Sequence, residues 1–258
     1  MKIFTGTDIG LMRSENQDRI EHVIVNEITA FVVLCDGMGG ENAGSAASEA
    51  AVEVIVDRFS KVYRRDLSDD TVKNMMITAL TTANSVILDE SYSDPEKKGM
   101  GTTCVAALQR GLKLHVVSAG DSRAYRINKE ISQITRDHSV VMQKFEKGEI
   151  TREQMRSHPQ RNFITKALGI PFEPDPDYFE LELEKDDVVL LCSDGLSTYV
   201  DESVIFDIAK KHRGDELIKK LIEAALDNGG KDNITIGLLY YDDPNEPEDD
   251  INPELSSM

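Results

Sequence analysis

The stretch "VVLCDGMGGENAG" (residues 32–44) begins as an apolar run and then breaks into Asp-Gly-Met-Gly-Gly. An unbroken run of this kind suits a buried strand, because β-branched residues pack well on a pleated surface. A carboxylate directly after it has two readings. Asp-Gly is ordinary turn chemistry; alternatively Asp36 is a ligand, and the glycines let something approach the backbone. Three more aspartates share the context. Asp194 follows "VVLLCS", Asp121 lies in "SAGDSRAY" at a tight turn between two strand-like runs, and Asp232 in "GGKDNITIG" precedes the final one.

Around these residues, strand-like runs occupy 2–10, 19–25, 30–35, 102–109, 113–120, 122–127, 177–183, 187–193 and 233–241. Helical spacing covers 43–62, with Ala47, Ala51, Val54 and Ile55 on one face, and 69–90, with Asp69 or Asp70 as N-cap. Two more helices are predicted near 201–212 and 214–227, and residues 139–170 read as helical in pieces. Strands come in adjacent groups separated by helix pairs. That order predicts an α+β fold with antiparallel sheets covered by helices, not a doubly wound parallel sheet. In such sheets strand ends meet at one edge, which lets the four aspartates converge.

Bare carboxylates resist converging. At about 4 Å and an effective dielectric near 20, each like-charged pair costs roughly 4 kcal/mol. Divalent cations remove that penalty, and oxygen-only donors suit Mg²⁺ or Mn²⁺, which take few carboxylates and keep several waters. Zinc does not fit, since no His or Cys cluster has ligand spacing. A metal pair roughly 3.5–4 Å apart binds phosphoryl oxygens and acidifies water between them.

The bulk composition narrows the class. The 258 residues are 40% hydrophobic and 29% charged, as expected for one large globular domain. Formal net charge is −18, with seven acids and no base in the last 17 residues. So acidic a chain disfavours a nucleic-acid partner. No apolar run is long enough to span a membrane, and the N-terminus lacks a secretory pattern, so a cytoplasmic location is expected. Cys35, Cys104 and Cys192 each lie in an apolar run and read as reduced structural thiols. The acidic, proline-containing segment 242–258 is expected to be disordered, leaving 1–241 as the catalytic domain.

Eight segments taken in order resemble the motif series of one family: "TDIGLMRSENQDR" (7–19), "LCDGMGG" (34–40), "GTTC" (101–104), "SAGDSRAY" (118–125), "ITRDHS" (134–139), "RNFITKALG" (161–169), "LLCSDGL" (190–196) and "DNITIGLL" (232–239). The chain is identified by them as similar to the metal-dependent serine/threonine protein phosphatases of the PPM family, protein phosphatase type 2C, in its compact bacterial form. The resemblance implies a central antiparallel β-sandwich flanked by helices on both sides, a four-layer αββα arrangement with two Mn²⁺ or Mg²⁺ ions at one end. It implies that Asp36 bridges the metals and the Gly37 carbonyl binds one of them, with Asp194 and Asp232 on the other. Asp121 with Asp194 matches a third, weaker site. Asp18 matches an acid that orients water, and Arg13 the arginine that holds the substrate phosphate, for which a planar fork is suited. Phosphoprotein substrates hydrolysed by direct attack of water and an opposing serine/threonine kinase follow from the same resemblance; a monomer is expected.

Two positions depart from some relatives. Met38 stands where animal members carry a histidine assigned as general acid, and Gln17 where a glutamate precedes the water-orienting acid. His138 follows Asp137 in a capping turn and reads as structural. Residues 141–168 hold six Lys/Arg against three Asp/Glu and match the family's variable flap, with Lys144, Lys147 and Arg152 as candidate substrate contacts.

Rival chemistries fit less well. Cys104 and Arg110 have the C-x₅-R spacing of cysteine phosphatases, but "VAALQ" between them is a buried strand with no phosphate cradle. Asn42 and Ser45 break the GxGxxG and P-loop templates, and no G-x-S-x-G elbow is present. A non-catalytic scaffold is expected to have lost some of Asp36, Asp121, Asp194, Asp232 or Arg13, and all are retained. A two-metal phosphodiesterase or nuclease is opposed by the acidic surface.

Overall fold

In the computed structural model, which describes residues 1–40, 43–171 and 174–241, the opening stretch forms a strand covered on both faces. The expected disordered segment 242–258 lies outside the described residues. The chain runs β1 (Lys2–Asp8), β2 (Asp18–Asn26), β3 (Thr29–Met38), α1 (Ala43–Val62), α2 (Asp69–Ser93), β4 (Gly101–Thr102), β5 (Cys104–Arg110), β6 (Lys113–Ala119), β7 (Arg123–Ile127) and β8 (Ile131–Gln133). It continues through α3 (Val140–Glu146), α4 (Arg152–Ser157), β9 (Asp177–Glu182), β10 (Val188–Cys192), α5 (Asp194–Ser197), α6 (Glu202–Lys211), α7 (Gly214–Asp227) and β11 (Ile234–Tyr240).

Two antiparallel sheets result, ordered β1-β11-β10-β7-β8 and β2-β3-β5-β6-β9, with β4 on the end of β3. Period-two alternation along β3 explains why its run is apolar without interruption. Phe31, Val33 and Cys35 face α1 and α2, while Ala30, Val32 and Leu34 face the other sheet. On the second sheet Leu190 and Ile236 pack under α5, α6 and α7, and Val189, Leu191 and Leu239 fill the space between sheets. Three apolar layers therefore separate four structural ones, the αββα order that the resemblance implies.

Connections place the site. The segment 9–17 carries the chain from β1 in one sheet to β2 in the other. The turn Gly120–Asp121–Ser122 makes the second crossing, from β6 to β7. Both crossings lie at the same end of the sandwich. There Asp18 pairs with Asp36, Cys104 with Ala119, and Cys192 with both Arg123 and Ile236. The opposite end holds the β2–β3 and β5–β6 hairpins.

Several sequence-based boundaries shift. β3 does not stop at Cys35 but runs through Asp36 and Gly37 to Met38, because β4 pairs with its last residues. The run 102–109 is broken at Thr103, whose side chain takes over a backbone bonding role described below. The α2 N-cap is Ser68, whose hydroxyl accepts the Thr71 N–H at 3.3 Å, so Asp69 and Asp70 are the first helical residues. The strand β8 and the short helix α5 were not anticipated; neither has room for a periodic pattern.

Candidate metal centre

Asp18 and Asp36 face each other across β2 and β3. Glycine brings their surroundings close. A side chain at Gly37 would stand 2.1 Å from the Gly44 carbonyl oxygen and 2.7 Å from that of Gln17. One at Gly195 would stand 2.0 Å from the Asn233 carbonyl oxygen. The glycine after each of Asp36 and Asp194 therefore serves backbone approach: one lets α1 close on β3, the other lets α5 close on the start of β11.

Hydroxyls stitch the four segments together. The Asp36 N–H donates to Thr103 Oγ1 (3.1 Å), which lies 2.7 Å from Ser122 Oγ beside Asp121. The Thr235 N–H donates to Ser193 Oγ at 3.0 Å, joining the segment before Asp194 to that after Asp232. Asn233 accepts the Gln17 N–H (2.9 Å) and donates to the carbonyls of Ile9 and Glu15, both at 2.9 Å. It thereby seats the loop that carries Arg13. Neither Thr103 nor Asn233 was singled out in the sequence, although each sits directly beside a quoted motif aspartate or its strand.

The five aspartates are brought to one place. Burial pushes the Asp36 carboxyl well above its ordinary value, and Asp18, Asp194, Asp121 and Asp232 add to it in that order. Asp194 is raised by burial and then by Asp121, Asp232 and Asp18, with Arg13 opposing. Burial lifts Asp18 to about 6; nearby Thr235 and Ser193 hydroxyls pull against it. Asp121 also rises to about 6, through burial and then Asp137. Both Asp18 oxygens are buried, and neither completes a hydrogen bond. A buried acceptor pair left in this state is costly unless a further donor or cation is bound.

Arg13 lies at the rim, its Nη2 donating to Asp232 Oδ2 at 2.7 Å. It thus brings a positive charge to the Asp232 side of the cluster, while Arg123 opposes the rise at Asp121. Among the described residues no three carboxylate, imidazole or thiol groups already close to metal-holding distances. Hard ions that complete their shell with water need few protein oxygens. The donor chemistry, the repulsion and the orphaned Asp18 oxygens all fit divalent cations.

His138 is engaged elsewhere. Its Nδ1 accepts the Gly120 N–H (3.0 Å) and its Nε2 lies 3.1 Å from Asp177 Oδ2. Burial lowers its basicity, in keeping with a neutral ring that steadies the Asp121 turn. Beside Asp121 and Asp194 a cleft of about 180 Å³ opens between α3, α4 and the start of α6. Arg152, Arg156 and Arg161 line it, whereas Lys144 pairs with Glu149 at 3.6 Å within the flap.

A family profile described as Protein phosphatase 2C matches residues 12–233. The chain belongs to the protein phosphatase 2C family. The serine/threonine phosphatase stp of Listeria monocytogenes is 34% identical over 238 residues, covering 92% of this chain and 94% of that one. The solved serine/threonine phosphatase of S. agalactiae aligns with a TM-score of 0.86 at 34% identity, over 93% of this chain and 99% of that one. The catalytic domain of the phosphatase PstP, solved with two manganese ions, aligns at 0.78 and 32% identity over 92% and 96%. This protein phosphatase 2C is accordingly a metal-dependent serine/threonine protein phosphatase of bacterial type, of the class that uses Mn²⁺ or Mg²⁺. No helix among the described residues is long and apolar enough to cross a membrane.

Proposed function

We propose that this phosphatase removes phosphate from phosphoserine and phosphothreonine of proteins in the cytoplasm as a monomer, opposing a serine/threonine kinase. Residues 1–241 form the catalytic domain, with 141–168 as its flap. Asp36, the Gly37 carbonyl, Asp194 and Asp232 hold two divalent ions, and Asp121 with Asp194 a third, weaker one. The convergence of five aspartates from both sheets, with Arg13 as their adjacent cation, is the observation that carries this reading.

Bound Mn²⁺ or Mg²⁺ supplies charge neutralisation, Lewis acidity toward phosphoryl oxygens and a more acidic water. The chain's own residues do the rest. Arg13 swings from Asp232 to the phosphate once the aspartates are neutralised, and its fork holds two oxygens through the in-line transfer. Asp18, ionised near neutral pH, accepts a proton-bearing water and orients it. Met38 offers no proton to the leaving serine or threonine oxygen, and His138 is turned away, so solvent water protonates it.

Phosphate release from phosphoserine and phosphothreonine peptides with Mn²⁺, with EDTA, and with Asp36→Asn tests the reading. Activity is expected only for the wild type with metal. Release that survives chelation or the substitution overturns it.

A further inference from the structure

Cys35 and Cys104 take no part in this chemistry, yet they face each other across β3 and β5. The register pairs Leu34 with Val105, so the next pair is Cys35 with Cys104. One step on, the Thr103 N–H donates to the Asp36 carbonyl at 2.9 Å, which makes that a hydrogen-bonded pair. Cys35–Cys104 is therefore a non-hydrogen-bonded pair, the kind whose Cα atoms lie about 4.5 Å apart. That separation is inside the disulfide range of about 4.4–6.8 Å. Both side chains belong to the same buried layer beneath α1 and α2. Cys192 belongs to the apolar layer on the other sheet, under α5, α6 and α7, and cannot compete.

We propose that Cys35 and Cys104 are a peroxide-sensitive dithiol whose oxidation to a disulfide weakens the metal centre. A hydroperoxide is the oxidant. One sulfur attacks its O–O bond, giving a sulfenic acid and one molecule of water or alcohol. The second sulfur then displaces water from the first. Two thiols lose two protons and two electrons, and the peroxide takes up both. Burial of the pair excludes bulky disulfide oxidants; a small uncharged peroxide enters during local opening, and the reaction is slow.

Coupling to the metal follows from position. Opposed Cβ atoms about 4.5–5.5 Å apart must close to about 3.8 Å, a contraction of roughly 1 Å. The residues next to the bond are Asp36 and Thr103, whose hydroxyl holds the Asp36 N–H. This second half rests on Asp36 being a metal ligand, which loss of Mn²⁺ binding by unoxidised Asp36→Asn tests separately.

The full chain is treated with hydrogen peroxide, its free thiols are counted, its cross-links mapped by mass spectrometry and its Mn²⁺ affinity measured by calorimetry. Expected are a fall from three thiols to one, a Cys35–Cys104 cross-link, and about tenfold weaker Mn²⁺ binding that a dithiol reductant reverses. Oxidised glutathione should produce none of this. Cys104→Ala and Cys35→Ser should each keep their Mn²⁺ affinity after peroxide. Three surviving thiols, a cross-link through Cys192, or unchanged Mn²⁺ affinity in the cross-linked protein overturns the proposal, as does an equal response to glutathione disulfide.

Discussion

Asp36 is opposed by four other carboxylates as well as by burial. Asp36→Asn keeps its shape and removes a carboxyl whose ionisation the metal-free fold resists. Without metal the variant should melt above the wild type, since relief of about 1 kcal/mol corresponds to roughly 2–4 °C at this chain length. With saturating Mn²⁺ the order should reverse, because only the wild type gains from binding. Scanning calorimetry with and without EDTA reads both signs, and a variant less stable than wild type in EDTA contradicts the electrostatic account. Arg13 gives a second residue-scale prediction. Arg13→Ala should cut kcat/KM on phosphopeptides by about 100-fold, and Arg13→Lys should recover only part, because an ammonium lacks the planar fork. The aspartates and Arg13 were all legible in the sequence, as residue types in a fixed order. What each hydrogen-bonds was not: Asn233 reaches Gln17, 216 positions away, and no local pattern records that partner.

Between elements, glycine sets how closely backbone segments approach. Gly37→Ala and Gly195→Ala each press a methyl against a carbonyl oxygen, at 2.1 Å and 2.0 Å. Each should cost at least about 2 kcal/mol and lower Mn²⁺ affinity. Urea unfolding and metal titration of the two variants check this, and a wild-type Mn²⁺ affinity in Gly37→Ala goes against it. The flap is tied to α6 by Arg152–Glu202 at 3.5 Å and by Arg156–Asp201. Arg152→Glu should therefore reduce turnover of phosphoprotein about tenfold more than that of a small aryl phosphate. A charge reversal at Lys144, which pairs within the flap, should discriminate far less. Element types were readable from periodicity, since β3 and α7 are long enough to show it. The turn at Asp121 was not readable as a crossing, because a tight turn between two apolar runs looks the same whether the strands pair or change sheets.

For the molecule as a whole, the cluster links metal, protons and stability. Asp18 and Asp121 rise from 3.8 to about 6 in the folded protein. The folded chain thus holds more protons than the unfolded one between about pH 4 and 6, so these groups lower metal-free stability as pH rises through that window. Metal ions compete with the same protons. The melting-temperature rise produced by Mn²⁺ should then grow from pH 5 to pH 7.5, and a rise that shrinks instead rules out this linkage. The acidic balance that disfavours nucleic acid was plain from composition, whereas the joining of both sheets at one end became visible only in the topology.

Because β11 lies between β1 and β10, the first and last strands of this fold are neighbours. Asp232, just ahead of β11, is the last of the five aspartates to be synthesised. A growing chain that has emerged only to residue 231 has neither this interior strand nor a complete set of carboxylates. Such a chain should release no phosphate from phosphopeptides, even with Mn²⁺.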